Sequence, residues 1–134
     1  MDPKTVNHLR IAERNRDLAR ALLDPALGSL RPTPWEWVAV IAFYAAVHTV
    51  NAYLWETRKY TPTTHGDRRT AVRLSLPTSR CTVNYRALQD AGYFARYDET
   101  FTVSETRART LLDVEYRRVE ATVMQALGQM VPTW

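Results

Sequence analysis

The stretch from Trp35 to about Arg58 constrains this chain more than any other feature, because apolar residues occupy nearly every side of it. A helix that is hydrophobic all round has to be covered by other elements, or sit in a membrane. Its longest uncharged apolar run, Val38 to Val47, is ten residues, well short of the ~20 that cross a bilayer. The expectation is a central core helix and no membrane span. Three polar side chains interrupt its surface: Tyr44, His48 and Asn51. Their i, i+4, i+7 spacing places them on one face. Buried polar groups need partners, so this stripe is either a satisfied core network or part of a site.

The rest of the chain supplies helices to cover that core. Asp2-Pro3 is a cap followed by proline at the first helical position, and Val6, Leu9, Ala12, Ala19, Leu22 and Leu23 follow at helical spacing. Asp24 to Pro34 reads as a connection, with Thr33-Pro34 repeating the cap-plus-proline device before the central helix. Thr64 to Asp67 fits a capping-box start for a short helix that runs to about Leu76 and stops at Pro77. Tyr85, Leu88, Ala91, Gly92 and Ala95 give the next stripe after a polar connection. The last helix starts at Ser104 and ends near Gly128. Strand-like alternation does not persist anywhere. The expected fold is all-α: one domain over residues 1–134, an up-and-down bundle of four main helices plus a short fifth.

Charge is distributed unevenly along this fold. Between Arg58 and Arg86 stand seven basic residues against Asp67 alone, whereas the remainder of the chain is slightly acidic. Such a segment either attracts phosphate-rich partners or forms a solvated surface paired with acids elsewhere. Several chemistries lack their residues. There is no glycine-rich phosphate loop, no nucleophile elbow, and no short-spaced pair among His8, His48 and His65 to hold a metal. No metal and no cofactor are expected. Cys81 is placed in a loop beside Arg80, a neighbour that lowers a thiol's pKa, but reads foremost as an ordinary surface or core thiol rather than an activated one. A single cysteine forms no internal disulfide, and residues 1–4 lead into no signal-peptide core, so a cytoplasmic location is expected.

The segments Phe43-Tyr44-Ala45-Ala46-Val47-His48, Asn51-Ala52-Tyr53-Leu54 and Thr61-Pro62-Thr63-Thr64-His65 resemble the HEPN superfamily. Tyr85 to Leu88 and Ala95 to Asp98 are similar to the later long helix of such domains, and the likeness extends over roughly residues 6 to 127. The resemblance implies a helical bundle that dimerises. It also implies one of two functions: a metal-independent endoribonuclease of toxin–antitoxin or antiviral-defence type, or a non-catalytic module that binds a partner protein or a nucleotide. The family's ribonuclease motif, Arg then a polar residue then His, is matched in its loosest spacing by Arg58 and His65 as a catalytic pair. Lys59 stands where the family usually has Asn, Asp or His, and Pro62 lies between the two.

In that reading His65 handles the proton transfers and Arg58 faces the phosphorane charge. Arg68, Arg69, Arg73, Arg96 and Tyr97 contact the nucleic acid. The partners expected are RNA, a cognate antitoxin or neighbouring-gene protein, and a second copy of the chain. Homodimerisation has its own argument, since Trp35, Trp37 and Trp55 leave the central helix with apolar surface to cover.

Overall fold

The computed structural model describes residues 1–75 and 79–134, and the chain is all-helical, with no strand among the described residues. At the centre of the bundle lies α2 (Trp35–Arg58), with fourteen of its 24 residues buried. By length and composition this helix is apolar enough to cross a membrane, but most of it is enclosed by the other helices. Its last turn closes through Lys59, which takes a left-handed φ of 53° and donates its N–H back to Trp55.

Helix α1 (Pro3–Leu22) packs on α2 more extensively than any other element. It starts as its sequence suggests: the Asp2 carboxylate accepts from the Lys4 N–H at 2.8 Å, and Pro3 occupies the first turn. The far end of α2 ties this start down. Glu56 accepts from the Thr5 hydroxyl at 2.6 Å and from the Asp2 N–H at 3.0 Å. A short 3₁₀ turn (Pro25–Ser29) lies in the connection to α2. Thr33 does not cap α2. The helix begins at Trp35 with Pro34 at the boundary, and the Thr33 hydroxyl turns to Glu36 instead.

Beyond α2, helix α3 (His65–Ser75) is capped by Thr64, whose hydroxyl accepts from the Asp67 N–H at 3.0 Å. The expected stop at Leu76 and Pro77 lies outside the described residues. Helix α4 (Ser79–Tyr97) begins earlier than the Tyr85 stripe suggests, and this relocates Cys81. The thiol is a core thiol, buried inside the bundle rather than lying in a loop, and burial pushes its pKa up to about 12, so Arg80 does not activate it. Gly92 lets α4 approach α2 closely. A Cβ at Gly92 would sit 2.9 Å from the Phe43 side chain.

The last helix is interrupted. Helix α5 (Glu105–Thr110), capped by Ser104, passes into a π-helical turn (Leu111–Tyr116) and then α6 (Arg117–Ala126). In the wider turn a residue five positions on returns to the same side. Leu111, Leu112 and Tyr116 are thereby all buried. Gly128, with φ +67°, turns the chain so that Trp134 docks beside α6, its indole N–H on Glu120 at 2.7 Å.

Most of the apolar surplus expected on α2 is covered within the chain. Trp35 is buried, Trp55 is half-buried under the Lys4 ammonium at 3.6 Å, and only Trp37 stands out at 62% exposure. Of the tryptophans invoked for a homodimer, Trp35 therefore supplies no free surface and Trp55 only part of its own.

Candidate nucleic-acid interface

The polar stripe of α2 is satisfied by three different helices. The Tyr44 hydroxyl accepts from Nη1 of Arg96 on α4. The ring of His48 meets His8 on α1, Nδ1 to Nδ1 at 3.0 Å. Asn51 Oδ1 accepts from Nε of Arg68 on α3 at 2.9 Å. One face of a single helix thus gathers the polar side chains of α1, α3 and α4.

Arg68 is the hub. It is 7% exposed, so it is not the surface contact that its place in a basic segment suggests. Besides Asn51, it donates from Nη1 to Nδ1 of His65 at 2.9 Å and from Nη2 to the Pro62 carbonyl at 3.2 Å. All three acceptors lack a full negative charge, and among the described residues no carboxylate pairs with Arg68. The guanidinium stays cationic in any protein, so its charge is felt by its neighbours. The buried Tyr85 hydroxyl lies close to Arg68 without a well-formed hydrogen bond, and burial raises its pKa to about 12.

The same charge acts on the histidines. His65, half-buried and packed on the Phe43 ring at 5.1 Å, has its pKa lowered by burial and then by Arg68 and Arg96. A guanidinium only donates, so the Nδ1 that receives the Arg68 bond carries no proton. Neutral His65 is therefore the Nε2–H tautomer, with Nε2 a donor and neither ring nitrogen free to take a proton. Farther along the stripe, burial, His8, Arg68 and Arg14 bring His48 down to about 4.

The remaining residues named from sequence divide into two groups. Arg96 joins the site: half-buried, it also donates to the Gly92 carbonyl at 3.2 Å, and its guanidinium lies 5.0 Å from the Tyr97 ring centre and 5.3 Å from that of Tyr44. Arg69 and Arg73 stand exposed one turn apart on α3, and Arg58 is exposed at the end of α2. None of these three forms an ion pair or side-chain hydrogen bond among the described residues. In particular, nothing joins Arg58 to His65. His65 engages Arg68, three residues on, while Arg58 points to solvent from a helix that Lys59 brings to an end.

Sequence reasoning missed two participants. One is His8, the partner of His48; the other is Arg68 as a buried positioning residue. Both occupy core-facing spacings on their helices, four residues before Ala12 and Val72, and that is the signal that could have found them.

The chain matches no known family model, no curated protein and no solved structure. The HEPN resemblance stands as a likeness of sequence segments.

Proposed function

We propose that this chain is an RNA-binding module, an up-and-down HEPN-like bundle that holds the phosphate backbone of single-stranded RNA without cutting it. One observation carries the reading: donors with no base among them. The Nε2–H of His65 and the guanidinium of Arg96 lie near one another, Arg69 and Arg73 are exposed on the helix that His65 begins, Arg58 is exposed at the end of α2, and the buried Arg68 adds charge that no carboxylate cancels among the described residues. Metal-free RNA cleavage needs a group to take the 2′-hydroxyl proton. His65 is committed to the wrong tautomer for that work, and Arg58 is not held beside it. Binding is thus favoured over the ribonuclease reading.

The test is RNA binding across a salt series. Three exposed arginines on a single strand give a slope of log K against log salt near about −2, from ~0.7 per phosphate neutralised. Absence of binding at ~50 mM salt removes the electrostatic basis of the proposal. Cleavage of the RNA that is lost in His65→Ala restores the catalytic reading.

A further inference from the structure

Beside Arg96 lies a cavity of about 200 Å³ lined by Glu36, Trp37, Val40, Ala95 and Arg96. It sits between the first turns of α2 and the last turn of α4, with Arg96 close enough to His65 to lower that ring's pKa. Its walls differ in chemistry. Trp37, 62% exposed, offers an aromatic face with no ring packed on it among the described residues. Val40 and Ala95 are apolar. Arg96 is a cationic fork with Nε and Nη1 engaged on the protein.

Glu36 is a carboxylate already held in place. Its Oε1 accepts from the Val103 N–H at 3.1 Å and its Oε2 from the Thr33 hydroxyl at 3.5 Å. Each oxygen keeps a further lone pair, and no cation pairs with it among the described residues.

A flat aromatic ring together with a fixed carboxylate suits one kind of nucleobase. Bases splayed from a single strand stack on aromatic side chains and are read on their Watson–Crick edges. Guanine presents two adjacent donors there, N1–H and the 2-amino group, which match the two oxygens of a carboxylate. Adenine, cytosine and uracil each offer a single donor group on that edge, next to acceptors that a carboxylate repels. Asp98 and Glu99 follow just past Arg96, and their like charge disfavours an RNA backbone at the end of α4.

We propose that the Glu36–Trp37–Arg96 cavity is a guanine subsite, with Trp37 stacking the base, Glu36 accepting from its N1 and 2-amino groups, and the remaining Nη2 of Arg96 donating to the adjoining phosphate. This rests on the RNA-binding reading above and adds base selection to it.

The experiment titrates the full chain with short oligouridylates carrying one central guanosine, inosine, adenosine or cytidine, at ~50 mM salt. The guanosine strand binds about tenfold or more tighter than the adenosine strand, on the scale of a bidentate base contact. Inosine, which lacks the 2-amino group, falls between them. Glu36→Gln, which keeps an acceptor for Val103, erases the guanosine preference. Trp37→Ala weakens all four strands and Trp37→Phe restores most of the loss.

Equal affinity for the four strands, with normal salt dependence, overturns the guanine subsite and leaves the RNA reading standing. If no strand binds, the RNA reading falls, and guanosine monophosphate alone becomes the probe. Binding that Glu36→Gln abolishes keeps the subsite, and no binding removes both. If Trp37→Ala lowers the mass seen in light scattering without changing base preference, the face is a contact between copies of the chain and the subsite is overturned.

Discussion

The bundle buries two arginines to nearly the same depth and treats them in opposite ways. Arg16, 6% exposed on α1, is surrounded by carboxylates: Glu120 and Asp17 each at 2.9 Å and Glu13 at 3.5 Å, with the Trp134 ring beside it. Arg68, 7% exposed on α3, has Asn51, His65 and a peptide carbonyl. The first charge is cancelled where it lies, and that arginine clasps α1 to α6. The second is held by dipoles, so its field reaches the histidines and the surface above them. The difference lies in what faces each guanidinium: carboxylates at Arg16, neutral dipoles at Arg68.

Breaking the clasp has the largest effect. Arg16→Ala strands Glu120 as an uncompensated buried charge and lowers stability by about 3–5 kcal/mol, seen as a reduced denaturant midpoint. Arg68→Met costs less, because it leaves polar acceptors without donors but orphans no charge. The expected loss is about 1–3 kcal/mol, with Asn51 and the Pro62 carbonyl the groups left unpaired. Equal losses at the two sites would erase the contrast.

The pH dependence of stability separates the regions more finely. His48 has a folded pKa near 4, below the ~6.5 of an unfolded histidine. Between those values the unfolded chain binds the extra proton, so stability is complete above about pH 6.5 and declines as pH falls toward 4. His8, also lowered by burial and then by Lys4 and Arg68, acts in the same direction. His48→Gln should flatten unfolding free energy between pH 7 and 5, whereas Arg16→Ala should leave that slope in place. The smallest effect is on the exposed arginines. Changing Arg69 and Arg73 together to Ser shifts stability by no more than about 0.5 kcal/mol. It also flattens the salt slope of RNA binding by about 1.4 units, from ~0.7 per phosphate contact.

The sequence signals that proved readable are the ones settled locally. Asp2, Thr64 and Ser104 cap their helices because a cap needs only the next turn's N–H groups, and the central place of α2 follows from its apolar circumference. The errors came where distant elements decide the outcome. Arg68 looked like one more surface arginine, although Val72 four residues on and Asn51 on another helix draw it inward. Cys81 lies four residues before Tyr85, so extending the α4 stripe back by one turn would have placed the thiol in the core. The pairing of Arg58 with His65 rested on spacing along the chain; with the left-handed Lys59 and the Pro62 loop between them, no hydrogen bond among the described residues joins the two side chains. The π-helical turn has no sequence signature, since Leu111 to Tyr116 would serve equally in an α-helix.

The state of the His65 ring tests the central claim most directly, because the tautomer follows only if Arg68 donates its uncancelled charge to Nδ1. A ¹⁵N NMR titration of the imidazole nitrogens reads both properties in one experiment. The account predicts an unprotonated Nδ1, a proton on Nε2, and a pKa below ~6.5 that rises in Arg68→Met. A proton on Nδ1 with a basic Nε2 facing solvent, or a pKa that Arg68→Met leaves unchanged, would contradict it and return His65 to the role of a general base.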